Sequence, residues 1–254
     1  MIEIQNLGLK RNGHILLNRI DLSIPSGEYA ALIGANGAGK TSLIRCMIRL
    51  IDDWSGSILI NGRSNRDLAR KIAYVQQVSD TVPFSVWEFV AMSRYPHLAL
   101  FDSLTQEDRD IVNTALQETG IINLSDRPME NLSGGERQKV FLAAATVQQT
   151  DILLLDEPAT FLDYRRQMEI ASLLQSINQK KGTTVVEITH DINHAADTAS
   201  RIIALGEGSV LYDGDPSGLM NPDLLQRIFS VDFKLVEDPD RKFPLIIPNS
   251  KKYF

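Results

Sequence analysis

Ala30-Ala31-Leu32-Ile33-Gly34-Ala35-Asn36-Gly37-Ala38-Gly39-Lys40-Thr41-Ser42 reads as strand, turn and helix in immediate succession. An apolar run enters a glycine-rich turn, which opens onto Lys-Thr and a helical pattern. Gly34 to Thr41 fits G-x-x-x-x-G-K-[ST] without a gap. Glycines lack a Cβ, so the backbone can curl and aim successive N–H groups at phosphate oxygens. The helix starting near Lys40 adds unpaired N–H groups and the positive end of its dipole. Lys40 supplies a mobile cation for the β- and γ-phosphates, and the Thr41 hydroxyl a ligand for Mg²⁺. Gly34, Asn36, Gly37, Ala38, Gly39 and Ser42 complete the expected nucleotide contacts. The stretch predicts a nucleoside triphosphate site.

Outward from this loop, the largely apolar run Asp151–Leu155 predicts a strand in the middle of a parallel sheet. It ends in Asp156 and Glu157. A carboxylate at the end of a buried strand, beside a phosphate loop, suits a second Mg²⁺ ligand, which assigns Asp156. Glu157 then orients or deprotonates an attacking water. Asn131-Leu132-Ser133-Gly134-Gly135-Glu136 is the most specific stretch. Ser133 and Glu136 have capping-box spacing, and two glycines leave bare N–H groups at a helix N-terminus. On these residues alone, a capped loop-to-helix entry and a second anion site are equal readings.

The remaining pattern alternates strands and helices, which predicts an α/β architecture. Asn12-Gly13 predicts a hairpin between 7–11 and 14–17. Further strands are expected at 28–33, 57–60, 72–76, 183–189, 201–205 and 209–212. Helices are expected from about Lys40 to Leu50, from Tyr164 to Gln179 and near 192–199. Ser85/Glu88 and Thr105/Asp108 also have capping-box spacing, and residues 85–149 read as a helical insert. Asn221-Pro222 opens a last helix, with Pro in its first turn. From Val231 the sequence carries no regular pattern.

The 254 residues suffice for a sizeable core, and 43% hydrophobic with 23% charged residues is an ordinary globular composition. A net charge of −6 without a long basic run argues against nucleic acid as a partner. The single Cys46 excludes an internal disulfide, suits a reducing compartment and falls among apolar helix positions. No signal peptide is expected, because Met1–Ile4 begins at once with strand-like alternation. No apolar run approaches the ~20 residues of a membrane helix, so any spanning must come from another chain.

Leu132-Ser133-Gly134-Gly135-Glu136 resembles the LSGGQ signature of ATP-binding-cassette (ABC) ATPases, and its place before Asp156-Glu157 is that family's order. The likeness covers essentially the whole chain. It implies an α/β P-loop NTPase core with an N-terminal antiparallel β subdomain and an inserted α-helical subdomain. Residues 1–254 then form a single ABC ATPase domain, with 1–84 and 150–254 as nucleotide-binding core and 85–149 as helical subdomain. ATP and Mg²⁺ are the implied cofactors. A homodimer is implied too, in which Ser133, Gly134, Gly135 and Glu136 of one subunit close over ATP held by the other. Gln77 matches the glutamine that touches Mg²⁺ and the water and faces the membrane partner. Asp163 matches an aspartate of the dimer interface, and His190 matches the switch histidine at the γ-phosphate. His190 and His194 are spaced like zinc ligands on a helix, but no glutamate follows His190 and it ends a strand.

Three positions depart from the family. Arg11 stands where an aromatic usually stacks on adenine, and a guanidinium can also stack on a π face. Glu136 replaces the usual glutamine, and Phe161 a small residue. Glu157–Asp163, Val90–His97 and the run from Gly214-Asp215-Pro216 to Phe229 are similar to importers of iron-siderophore, haem and cobalamin type. The resemblance therefore implies an ATPase subunit of an importer at the cytoplasmic face of the inner membrane. It would serve an integral membrane permease and, through it, a periplasmic or extracellular solute-binding protein. Residues 77–96 would form much of the permease contact, where Trp87, Phe89 and Tyr95 serve either as anchors or as core. Import of another cargo such as molybdate, or a soluble cofactor-assembly ATPase, are the alternatives.

Overall fold

The computed structural model describes residues 1–62, 68–76, 82–99, 102–160 and 162–249. Two compact units divide the chain, one of residues 1–65 and 184–254 and the other of residues 66–183.

In the first unit the strands before residue 66 are β1 (Ile2–Arg11), β2 (His14–Ile24), β3 (Tyr29–Gly34) and β4 (Ser55–Ile60), with α1 (Lys40–Met47) after β3. The second unit holds β5 (Ile72–Val75), α2 (Val86–Met92), α3 (Gln106–Glu118), α4 (Gly134–Val147), β6 (Ile152–Asp156) and α5 (Tyr164–Lys181). Back in the first unit come β7 (Thr184–Ile188), α6 (Ile192–Thr198), β8 (Arg201–Gly206) and β9 (Ser209–Gly214). There α7 (Pro222–Phe229), β10 (Phe233–Val236) and β11 (Leu245–Pro248) end the described chain.

β1 pairs antiparallel with β2, as the Asn12-Gly13 turn requires, and antiparallel with β4. Both turn residues have positive φ, +48° and +83°, the conformation that matches strand twist in a two-residue hairpin. β3 runs parallel to β7 and β8, and β9 returns antiparallel to β8. Every residue of β3 and of β7 is buried, which is why both read as continuous apolar runs with hardly a polar interruption. Glu187 is the exception in β7.

In the second unit β5 pairs parallel with β6. The helices enclose a core around Val86, Val90, Leu116, Val140, Ala143 and Val147. Ser85, Thr105 and Ser133 each start a helix with a complete capping box. The C-terminal hairpin of β10 and β11 had no sequence signal. Its strands have four residues each, and no turn doublet joins them.

An ion pair with no sequence signature lies inside the helical core. Arg94 Nε donates to Asp108 Oδ1 at 2.8 Å, and Arg94 Nη1 reaches the Val147 carbonyl at 3.0 Å and Gln149 Oε1 at 2.8 Å. Asp108 Oδ2 accepts from the Thr105 hydroxyl at 2.7 Å and the Thr105 amide at 3.0 Å. Those Thr105 bonds first, and Arg94 after them, hold the Asp108 carboxyl down at about 2. Its stabilising contribution is therefore full above the ordinary value of 3.8 and fades as pH falls toward about 2. Arg94→Met strands a buried carboxylate and should cost on the order of 3 kcal/mol of unfolding free energy in urea. A loss under about 1 kcal/mol would show that Thr105 alone satisfies Asp108.

Candidate functional site

In the first unit the phosphate loop joins β3 to α1 through backbone that excludes side chains. Gly34 has φ +145°, and a Cβ there would collide with the Leu205 carbonyl. Gly39 is the N-cap of α1 at φ +101°, and a Cβ would lie 2.7 Å from the Leu16 carbonyl oxygen. Gly37 also has positive φ, at +79°, but faces open space. Ala38 donates its N–H to the Ala35 carbonyl at 3.2 Å, closing the turn. Asn36 and Gly37 are exposed at the loop's crest, and Thr41 and Ser42 are half-buried in the first turn of α1.

Lys40 is the buried cation of this loop, at 6% exposure. Its Nζ donates to the carbonyls of Gly34 at 2.8 Å and Ala35 at 3.0 Å. The ammonium is thus held across the turn by oxygens of the loop itself. Arg11 ends β1 opposite His14 and is exposed, with its guanidinium at the hairpin tip. His190 is exposed between Thr189 and Asp191, and the Asp191 side chain caps α6 by accepting from the His194 N–H at 2.9 Å. His194 turns inward, its Nε2 3.4 Å from Glu187 Oε1.

In the second unit β6 delivers Asp156, 4% exposed, at its end, where the Tyr74 hydroxyl approaches Asp156 Oδ2 at 3.4 Å. Glu157 follows with φ +54°, a conformation that costs a residue with a Cβ roughly 1–2 kcal/mol. The Thr160 hydroxyl donates to Glu157 Oε2 at 3.0 Å. The chain thus turns sharply at Glu157, and strain at this point is a pointer to function. Gln77 and Phe161 lie outside the described residues.

The second unit also brings two predicted elements into contact. Ser133 caps α4, and Glu136 closes the box by accepting from the Ser133 N–H at 2.8 Å and its hydroxyl at 2.7 Å. These bonds, with Arg127 and Arg166 behind them, lower the Glu136 carboxyl below its usual value. Asp163 caps α5, accepting from the Arg166 N–H at 3.0 Å. Arg166 lies over Gly135 so closely that a Cβ there would strike its Cδ. Ser133–Glu136 and the turn at Asp163 are therefore one surface. Sequence reading missed Arg166, although its place three residues after a helix-capping aspartate was the available signal. Trp87 and Phe89 pack on the helical core, Trp87 Nε1 bonding Asn113 at 3.0 Å, whereas Tyr95 is 61% exposed.

A family model described as ABC transporter matches residues 17–160. The chain is 37% identical to the iron(3+)-hydroxamate import ATP-binding protein of Bacillus subtilis, over 97% of this chain and 94% of that one. It is 36% identical to the ferric enterobactin transport ATP-binding protein of Escherichia coli, over 96% and 92%. Among solved structures, a metal-chelate type ABC transporter in an inward-facing conformation aligns with TM-score 0.87 at 25% identity, covering 100% of this chain and 99% of that one. A dimeric ATP-binding cassette bound to ADP and Pi aligns with TM-score 0.75 at 26% identity, covering 86% and 100%.

Because Gln also accepts from Ser133, Glu136→Gln should leave the unfolding midpoint at pH 7 nearly unchanged. What it should remove is the pH dependence: the variant should keep its midpoint in acid, where the native protein loses stability as pH falls from the ordinary Glu136 value of 4.5 through its lowered one. Nucleotide hydrolysis should be kept or raised, since a negative charge leaves the turn. A large loss of hydrolysis would show that the carboxylate itself is required.

Proposed function

Since the chain belongs to the ABC transporter family, we propose that it is the ATP-hydrolysing subunit of an importer for a metal chelate of iron-siderophore, haem or cobalamin type. The observation that carries this reading is full-length similarity to import ATP-binding subunits, combined with an intact phosphate loop at Gly34–Thr41. Among the described residues no helix is long and apolar enough to cross a membrane. The subunit works on a separate membrane permease, from the cytoplasmic face. A solute-binding protein delivers cargo to that permease.

The side chains present suit the ligands. The carbonyls of Leu205 and Leu16 leave no room for a Cβ at Gly34 and Gly39, and Gly37 faces open space, so the loop keeps the tight, side-chain-free curl that a cradle for phosphate oxygens needs. Thr41 and Asp156 offer the hard oxygen donors that Mg²⁺ prefers, and Gln77 adds a third. When bound, Mg²⁺ neutralises charge on the β- and γ-phosphates. Lys40 releases its loop carbonyls to meet those phosphates. Arg11 stacks on the base. Glu157, already turned out of strand geometry, takes the proton of the attacking water, and His190 donates to the γ-phosphate. Ser133–Glu136 and Asp163, one surface in each subunit, close over the ATP of a second copy. ATP closes this homodimer and hydrolysis reopens it.

Glu157→Gln should keep ATP binding, slow hydrolysis by roughly 10²-fold or more and accumulate an ATP-dependent dimer on size exclusion. Persistent turnover would assign the base elsewhere. Lys40→Ala removes a charged donor and should weaken ATP binding by about tenfold or more in a titration. Co-purification with a polytopic membrane protein separates the importer from a soluble cofactor-assembly ATPase.

A further inference from the structure

The C-terminal hairpin has no part in the reading above, and its contacts are specific. α6 has only seven residues, too few to hold its own place in water. It is gripped instead from two sides. On the strand side, His194 Nε2 lies 3.4 Å from Glu187 Oε1, and the Tyr29 hydroxyl donates to Glu187 Oε2 at 2.5 Å. On the tail side, Asn193 Nδ2 donates to the Ile246 carbonyl at 3.0 Å while Asn193 Oδ1 accepts the Ile246 N–H at 2.8 Å. One side chain thus satisfies both backbone groups of a β11 residue. One turn later, Asp197 pairs with Arg241 Nη2. Positions 193 and 197 share a helix face, and residues 241 and 246 cover it. Ile246 is 3% exposed and Phe243 9%, so the tail is packed in place rather than draped over the surface.

His190 immediately precedes Asp191, which caps α6. Any rotation or slide of this short helix is passed to His190 within two residues. We propose that Asn193 is a positioning residue, through which the hairpin of β10 and β11 fixes α6 and so sets the placement of His190. This rests on the reading of His190 as the group that meets the γ-phosphate. The tail is then a working part of the ATPase, acting through helix position and touching no nucleotide.

The test uses the full chain with Asn193→Leu, which keeps side-chain size and loses both bonds, and Arg241→Met, which releases Asp197. Imidazole resonances of the four histidines are followed by NMR, His190 being identified by its loss in His190→Ala. ATPase kcat and ATP affinity are measured on the same samples. The expected result is a displaced His190 resonance in both variants and a kcat lower by about tenfold, as misplacement of a reacting group produces, with ATP affinity within about twofold. Arg241→Lys, which keeps the pair with Asp197, should restore the resonance and kcat. An unmoved His190 resonance in both variants overturns the proposal, as does a parallel fall of kcat and ATP affinity. Full hydrolysis by His190→Ala would instead remove His190 from the reaction, leaving the resonances to decide whether the tail positions it.

Discussion

A lysine ammonium shut away from water must be surrounded by oxygen, and the first unit is built to meet that demand at Lys40. The carbonyls of Gly34 and Ala35 take it, so the last residue of β3 and the first of α1 are tied across a loop of glycines. An unpaired charge there would cost several kcal/mol. The arrangement in turn needs β3 to arrive at full burial between β7 and β8, which fixes Leu205 against Gly34. Charge, glycine conformation and sheet order are one constraint expressed at three scales.

The second unit follows a different rule, in which helix ends carry the specificity. Ser85, Thr105 and Ser133 begin their helices with reciprocal bonds, and Asp163 begins α5 with a single one. Two of these ends, at Ser133 and Asp163, face each other through Arg166. Capping usually serves stability alone, at about 1 kcal/mol each. Here it also ties two helix starts to each other, because Arg166 of one lies over Gly135 of the other.

Much of this was legible in the sequence, because the chemistry is local. Gly34–Thr41, Asn12-Gly13 and the capping boxes each depend on residues within a few positions of one another. The strand end at Asp156 was legible because four buried apolar residues precede it. What could not be read depends on distant partners. Arg94 and Asp108 are both charged, and no spacing rule announces that they will be buried together. Glu187 interrupts an apolar strand without any local sign that Tyr29 and His194 await it. The hairpin after Val231 is specified by Asn193, 53 residues away from Ile246. The positive φ of Glu157 was invisible too, since glutamate gives no hint of a left-handed turn.

Arg166 resting on Gly135 limits what either position can become. The side chain that forbids a Cβ in one turn belongs to the helix capped by Asp163, so the two turns cannot drift independently. A residue larger than glycine at 135 would drive Arg166 off its place beside Asp163 and away from the Glu136 carboxylate. A shorter residue at 166 would lift the prohibition and loosen both turns at once. A chimera that swapped one turn without the other would set position 135 against a residue at 166 of the wrong size.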